Sequence, residues 1–223
     1  MIIAIDGPAG SGKSTVARRA ALQLGFHYLD TGAMYRALTV AALARGIAPG
    51  DAAALEDLAR TMPLRFGYAD GDPLPSKVFI GDVDVTETIR KPEVDRQVSE
   101  VSAHPAVREA MVDQQRSVAQ SDSYVIEGRD IGTVVFPAAE LKLFITASPE
   151  ERARRRAAQN AERGLAADYD TILVAIRARD DFDSSREVAP LRPDDDALCI
   201  DTTQLSIDET VALVVDLAKE TRG

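Results

Sequence analysis

Short apolar runs alternate with longer helix-like segments over the first 46 residues of the chain. The run from Ile2 to Ile5 precedes a glycine-rich stretch and an alanine-rich segment from Lys13 to Leu24. A second run, Phe26 to Leu29, precedes a helix-like segment from Ala33 to Arg45 that ends at Gly46. Strands that alternate with helices predict a parallel sheet covered by helices, with binding sites beyond the carboxyl ends of the strands.

The pattern changes after a short helix that Asp51 is expected to cap. Short apolar runs follow, separated by Gly, Asp and Pro residues, and this pattern is typical of antiparallel hairpins. The expected strands are Pro63 to Tyr68, Ser76 to Ile80 and Val83 to Val85, and the expected turns are Asp70 to Pro73 and Gly81 to Asp82. We expect these segments to form an insertion that moves over a substrate.

The remaining chain returns to strands and helices. Helical periodicity runs from Pro92 to Ala119 with an interruption at His104 and Pro105. Further strands are expected from Tyr124 to the glycine turn at Gly128, at Leu141 to Thr146 and at Ala197 to Ile200, and further helices from Ser148, Thr171 and Ser206. The sequence therefore predicts an α/β fold with a five-stranded parallel sheet flanked by helices.

The segment Gly7-Pro8-Ala9-Gly10-Ser11-Gly12-Lys13-Ser14 fits the phosphate-binding loop pattern G-x-x-x-x-G-K-[ST]. Its glycines allow backbone N–H groups to wrap around a polyphosphate, and the helix that follows adds partial positive charge. Lys13 is predicted to reach the outer phosphates and Ser14 to hold Mg²⁺, with Thr15 next in the nucleotide-binding set. A glycine turn with an incidental Lys-Ser pair is the alternative, but the strand and helix around the segment favour a nucleotide site.

Charge and composition narrow the class of protein. The formal net charge of −10 and the isoelectric point near 4.8 argue against a general nucleic-acid-binding protein, whose surface would be basic. The chain has no apolar run of 18 residues, so it predicts no membrane span, and we expect a monomeric, cytoplasmic protein. The one cysteine, Cys199, lies in an apolar run and is expected to be a buried, inert thiol.

Polar residues follow two of the predicted core strands. Thr31 and Arg36 come after the second apolar run. Either both are site residues, or Thr31 caps the helix and Arg36 is a solvated side chain. Glu127 ends the strand that begins at Tyr124, where a phosphate-binding-loop protein places the acidic group that supports Mg²⁺. The glycine turn that follows presents Arg129 and Asp130.

Arginines cluster in the two predicted helices before the last strand. The first helix carries Arg152, Arg154, Arg155 and Arg156. They form either a solvated face paired with acidic neighbours or, as we favour, a lid that places guanidinium groups on the transferring phosphoryl. If the second helix continues far enough, Arg179, Asp183 and Arg186 share one face, either pairing with each other or binding phosphate and ribose hydroxyls.

Four motifs, in this order, resemble the bacterial cytidylate kinases. They are Ile5 to Ser14, Leu29 to Arg36, Gly128 to Pro137, and Arg179 to Asp181 with Val188 to Leu191. The resemblance runs essentially end to end and implies a P-loop core of five parallel strands, a nucleotide-monophosphate-binding insertion and a helical lid. It also implies the transfer of a phosphoryl group from ATP to CMP or dCMP, with Mg²⁺, giving ADP and CDP or dCDP.

The resemblance also assigns roles and boundaries. It implies catalytic roles for Lys13, Arg129 and Arg179, ATP binding by Arg155, and metal binding by Ser14 and Glu127, although Glu127 stands where some members have Asp. The implied acceptor contacts are Thr31, Arg36, Ser99, Arg108, Arg129, Asp130, Arg179, Asp183 and Arg186, with Ser99, Arg108 and Asp130 reading the base. The implied division is a core of residues 1–60, 120–147 and 188–223, an insertion at about 61–119, a lid at about 148–170 and an acceptor-binding helix at about 171–187.

Three other functions are weighed against this one. Another small-molecule kinase could share the core, but the insertion and the base-reading set favour a nucleotide acceptor. A regulatory GTP-binding switch would carry Asp-x-x-Gly and Asn-Lys-x-Asp elements, and neither occurs in the sequence. A nucleic-acid-associated ATPase is disfavoured by the acidic charge.

Overall fold

The computed structural model describes residues 1–70, 72, 74–119 and 122–222, and these fall into two units. The first unit comprises Met1–Phe26 and Tyr124–Gly223, and the second comprises His27–Ser123. None of the helices in these ranges is long and apolar enough to cross a membrane.

Among its described residues, the first unit contains four strands and four α-helices. They are β1 (Ile2–Asp6), α1 (Lys13–Leu24), β6 (Tyr124–Gly128), β7 (Leu141–Thr146), α6 (Pro149–Glu162), α7 (Tyr169–Ser185), β8 (Leu198–Asp201) and α8 (Ile207–Arg222), with a π-helical turn at Ile131–Val135 after β6. The second unit contains β2 (His27–Asp30), α2 (Thr31–Ala44), α3 (Ala52–Thr61), β3 (Leu64–Gly67), β4 (Lys77–Ile80), β5 (Val83–Asp84), α4 (Pro92–Val101) and α5 (Pro105–Val118).

The main sheet has five strands in the order β2-β6-β1-β7-β8, which confirms the fold class predicted from the sequence. β1 pairs in parallel with both β6 and β7, and Ile3, Ala4 and Ile5 are fully buried. In this register Asp6 lies opposite Gly128, so the loop after β1 and the turn after β6 leave the sheet at the same level. Parallel pairing therefore brings the two predicted functional segments to one edge.

Helices of the first unit follow the predicted signals. Ser148 caps α6 by accepting a hydrogen bond from the Glu151 N–H, and Pro149 occupies its first position. Ser206 and Glu209 form the predicted capping box before α8. The predicted apolar stripe of α8, made of Val211, Val214, Val215 and Ala218, is buried, and α8 contacts α1 and β7.

The second unit carries the predicted antiparallel sheet, in the order β3-β4-β5. Asp51 caps α3 by accepting a 3.1 Å hydrogen bond from the Ala54 N–H, and the helical interruption at His104 and Pro105 separates α4 from α5, both as predicted. Gly71 and Pro73, part of the expected turn from Asp70 to Pro73, lie outside the described residues.

One local prediction is wrong, and one of the two alternatives for Thr31 is excluded. Cys199 is exposed, because β8 lies at the end of the strand order and buries only Ile200 among its residues. The cap of α2 is Asp30, whose Oδ1 accepts a 2.9 Å hydrogen bond from the Ala33 N–H, so Thr31 is the first helical residue rather than a cap. A carboxylate at this position satisfies a helix N–H as well as a hydroxyl does.

Candidate active site

The phosphate-binding loop joins β1 to α1. Gly7, Gly10 and Gly12 have φ angles of 151°, 77° and 88°, values that residues with a Cβ rarely adopt. A Cβ at Gly7 would overlap the carbonyl oxygen of Ile145, so this glycine is required by space as well as by conformation. Lys13 is only 6% exposed, and its Nζ donates a 3.2 Å hydrogen bond to the Pro8 carbonyl, which curls the lysine over its own loop.

The oxygen atoms predicted to support a metal ion lie side by side. The Ser14 hydroxyl donates a 2.7 Å hydrogen bond to Oε2 of Glu127, which is 2% exposed at the end of β6. Mg²⁺ prefers such oxygen ligands and keeps waters and substrate phosphates in its remaining positions, so two protein groups suffice. The described part of the chain offers no group of three or more His, Cys, Asp or Glu residues as an all-protein metal cage. The donor set therefore fits magnesium bound together with a nucleotide.

Four of the predicted acceptor residues meet in the first unit. Oδ2 of Asp183 lies 3.2 Å from Nε of Arg129 and 3.9 Å from Nε of Arg179, and Asp183 is 4% exposed. Arg186 donates from Nε to the Asp183 carbonyl at 3.2 Å and from a terminal nitrogen to the Ala189 carbonyl at 2.9 Å. The result is a buried carboxylate beside the Arg129 and Arg179 guanidinium groups, with the Arg186 guanidinium bound to the backbone of the same residue.

Arg186 does not lie on the predicted helical face. Helix α7 ends at Ser185, and Arg186 has φ −57° and ψ 139°, an extended conformation. The chain instead folds back, because the Leu191 N–H donates a 2.8 Å hydrogen bond to the Asp183 carbonyl. The segment Val188 to Leu191, one of the motifs found in the sequence, thus ends the helix and keeps Arg186 beside Asp183.

The arginine-rich helix divides its side chains between two environments. Arg152 is 3% exposed; it forms two hydrogen bonds with the Asp180 carboxylate, at 3.0 and 2.5 Å, and a third with the Ala9 carbonyl at 3.2 Å. Arg155 donates to the Ser11 carbonyl at 3.2 Å and to the Thr202 carbonyl at 2.6 Å. Both side chains therefore contact the phosphate-binding loop.

The other arginines of this helix follow the alternative interpretation. Arg154 is exposed and pairs with Glu151, and Arg156 hydrogen-bonds Gln159 on the solvent side. Hydrogen bonds from Arg154, followed by those from Arg155, lower the pKa of Glu151 to about 2. Two of the four arginines therefore lie on the exposed side of the helix, and the other two contact the phosphate-binding loop.

In the second unit, the predicted acceptor residues are held by contacts that the sequence did not reveal. Arg36 donates to Oδ1 of Asp95 at 2.6 Å and to the Ile89 carbonyl at 3.2 Å. Arg108 is 4% exposed; it donates to the Ser102 carbonyl at 3.0 Å, and its guanidinium lies 5.6 Å from the Tyr35 ring centroid. Thr31 is buried at the start of α2, and Ser99 is half-buried in α4. An anionic or aromatic neighbour thus orients each arginine of this unit's set.

Sequence reasoning missed three residues that this geometry makes prominent. Asp6 accepts 2.8 Å hydrogen bonds from the N–H groups of Ile131 and Gly132, and Asp180 pairs with the buried Arg152. Asp95 pairs with Arg36. Asp6 directly precedes the phosphate-binding loop and Asp180 lies within the motif Arg179 to Asp181, and these were the signals available, whereas Asp95 is an ordinary helix residue in the sequence.

The family model that describes cytidylate kinase matches residues 3–220, nearly the whole chain. The chain belongs to the cytidylate kinase family. Among its relatives, the cytidylate kinase of Streptococcus thermophilus (strain ATCC BAA-491 / LMD-9) is 50% identical over 219 residues, covering 98% of this chain and 96% of that protein. The cytidylate kinase of Mycobacterium leprae is 49% identical over 224 residues, covering 100% and 97%.

A solved structure supports the fold of this cytidylate kinase family member. An uncharacterized protein from Eubacterium ventriosum matches with a TM-score of 0.53 at 14% sequence identity, over 98% of both chains. At this level of identity the likeness concerns the fold alone, and the family assignment comes from the full-length sequence relatives.

Proposed function

We propose that this protein transfers the γ-phosphoryl group of ATP to CMP or dCMP and releases ADP and CDP or dCDP. The observation that carries this proposal is the match to the cytidylate kinase family over residues 3–220. The glycine loop, Lys13 and the Ser14–Glu127 pair supply the donor side of that reaction. Arg129 and Arg179, which lie beside Asp183, supply positive charge on the acceptor side.

In the proposed reaction, an oxygen of the acceptor phosphate attacks the γ-phosphorus, and the bond to the β,γ-bridging oxygen breaks. The acceptor phosphate is largely a dianion at neutral pH, since its second pKa is about 6, so the step needs no strong general base. Lys13 moves from the Pro8 carbonyl to the β- and γ-phosphates. Arg129 and Arg179 neutralise the oxygens of the transferring group, and Arg155 contributes to ATP binding.

Ser14 and Glu127 would hold Mg²⁺, the glutamate through water or directly. Held there, it would supply positive charge that offsets the charge of the nucleotide phosphates. The present Ser14–Glu127 hydrogen bond already sets the two oxygen atoms 2.7 Å apart.

For the acceptor, we assign Thr31, Arg36 and Arg129 to the phosphate and Arg179, Asp183 and Arg186 to the sugar and phosphate. Ser99, Arg108 and Asp130 are assigned to the base. Cytosine presents an amino donor at N4, which a carboxylate accepts, and acceptors at N3 and O2, which a guanidinium serves. Uracil reverses two of these polarities, and each unpaired buried group costs about 1–3 kcal/mol. The set should therefore reject UMP.

A direct test follows ADP formation with separate acceptors in the presence of ATP and Mg²⁺. We expect rapid turnover with CMP and dCMP, little with UMP or AMP, and slow hydrolysis of ATP alone. Omitting Mg²⁺ with a chelator should abolish turnover. Light scattering during size-exclusion chromatography tests the proposed monomer.

A further inference from the structure

A buried carboxylate joins the donor loop to the turn that carries two proposed acceptor residues. Asp6 is 5% exposed at the end of β1, directly before Gly7. Its Oδ1 accepts a 2.8 Å hydrogen bond from the Ile131 N–H, and its Oδ2 accepts one of 2.8 Å from the Gly132 N–H. Arg129 and Asp130 immediately precede these two amides.

Both oxygen atoms of Asp6 thus accept hydrogen bonds from backbone N–H groups of the turn. We propose that Asp6 is a positioning residue for the acceptor nucleotide: it holds the turn that presents Arg129 and Asp130 at a fixed distance from the phosphate-binding loop. This inference rests on the proposed function, because it assigns those two residues to the acceptor.

Close packing makes the contact sensitive to small changes. A Cβ at Gly132 would lie 3.2 Å from Cδ of Lys142 and 3.5 Å from Oδ2 of Asp6. The turn is therefore packed between the lysine stem on β7 and the carboxylate on β1. Contacts on two sides fix the position of the turn, and an element that binds the acceptor must be fixed in this way to orient it.

The donor loop, in contrast, has supports that do not involve the Asp6 side chain. Gly7 lies against the Ile145 carbonyl, Arg152 binds the Ala9 carbonyl and Arg155 binds the Ser11 carbonyl. Loss of the Asp6 carboxylate should therefore displace the acceptor turn and leave the donor loop in place.

The substitution Asp6→Asn separates these two effects. An amide side chain has one acceptor oxygen and one NH₂ group, so one of the two backbone N–H groups would face a donor. We expect Asp6→Asn to weaken CMP binding about tenfold or more, the usual effect of losing an orienting contact, with Mg·ADP binding changed less than about twofold. Isothermal titration calorimetry at pH 8 measures both dissociation constants without turnover.

Val214→Ala is the control, because Val214 is fully buried on α8 of the same unit and is not among the residues assigned to either nucleotide. It should lower thermal stability while leaving both dissociation constants unchanged. If Asp6→Asn fails to fold, Gly132→Ala takes its place, because the added methyl group would displace the same turn by contact with Lys142. This variant should weaken CMP binding selectively.

Amide hydrogen exchange adds a structural readout. Asp6→Asn should speed exchange in residues 129–136 and leave residues 7–14 protected. Equal weakening of CMP and Mg·ADP, or a change in stability with both affinities intact, overturns the inference. A wild-type protein that neither binds nor phosphorylates CMP overturns the proposed function instead.

Discussion

The hydroxyl of Ser14 donates a 2.7 Å hydrogen bond to Oε2 of Glu127, joining the last residue of the phosphate-binding motif to the end of β6. The two residues are 113 positions apart, and the parallel pairing of β1 with β6 brings them together. This pair is the proposed magnesium support, and Arg129, one of the proposed acceptor arginines, lies in the turn directly after β6.

Glu127→Gln should impair metal support without unfolding the protein. The amide keeps an oxygen acceptor for the Ser14 hydroxyl but removes the charge, so we expect about 10–100-fold weaker apparent Mg²⁺ affinity in the kinase reaction. Initial rates across a magnesium titration at fixed ATP measure this. Glu127→Asp, which keeps the charge, should retain most of the affinity, and equal behaviour of the two variants would remove Glu127 from the metal site.

Asp183→Ala should act on the acceptor far more than on ATP. Asp183 is buried beside Arg129 and Arg179, so its removal takes away a proposed ribose contact and the anion that orients two arginines. We expect the KM for CMP to rise about tenfold or more, with the KM for ATP nearly unchanged. Steady-state kinetics with each substrate varied in turn tests this, and an equal rise in both constants would make the contact merely structural.

Asp180→Asn should be strongly destabilising. It leaves the Arg152 guanidinium, whose side chain is 4% exposed, without its bidentate partner, and removing one member of a buried pair costs about 3–5 kcal/mol. Urea denaturation measures the loss of unfolding free energy.

Glu150→Gln is a matched control, because Glu150 pairs with Arg177 across the same helices, α6 and α7, with side chains 52% and 58% exposed. Exposed pairs contribute about 0–1 kcal/mol, so the control should stay near the wild type. Equal losses in Asp180→Asn and Glu150→Gln would contradict the assignment of Arg152 as a buried anchor.

Stability should depend on pH through Asp6. Burial raises the pKa of this carboxyl to about 6, partly offset by the two N–H groups and by Lys13, whereas the neighbouring Asp130 raises it. Because the folded state keeps a proton that the unfolded state has lost, the Asp6 contribution to stability is full below about pH 4 and declines as pH rises to about 6.

The decline amounts to about 3 kcal/mol for a shift of about two pKa units. Denaturation of wild type and Asp6→Asn between pH 4 and 7.5 isolates it, since titrations that the two proteins share largely cancel in the difference. A difference that stays flat across this range would show that the Asp6 carboxyl titrates alike in both states.

Much of the fold was predictable because its signals are local. The strand at Leu141 to Thr146 and the helix from Lys13 to Leu24 have the predicted boundaries, and the caps at Ser148 and Asp51 follow the predicted residues. Apolar runs, glycines and capping residues act within a few positions of where they occur.

The errors and omissions involve long-range contacts. Cys199 is exposed because of the place of its strand in the sheet order, which the run of apolar neighbours does not encode. Arg186 leaves the helix because Leu191 folds back onto Asp183. Asp6 finds its partners 125 and 126 residues away, so no local pattern could indicate that it holds the acceptor turn.

The central claim is tested most directly by measuring ADP formation from ATP and Mg²⁺ with CMP, dCMP, UMP, AMP or shikimate as the acceptor. The account predicts strong turnover with CMP and dCMP and little with the other three. Turnover only with a non-pyrimidine acceptor would preserve the P-loop kinase fold but contradict the assignment of Ser99, Arg108 and Asp130 as the base-reading set.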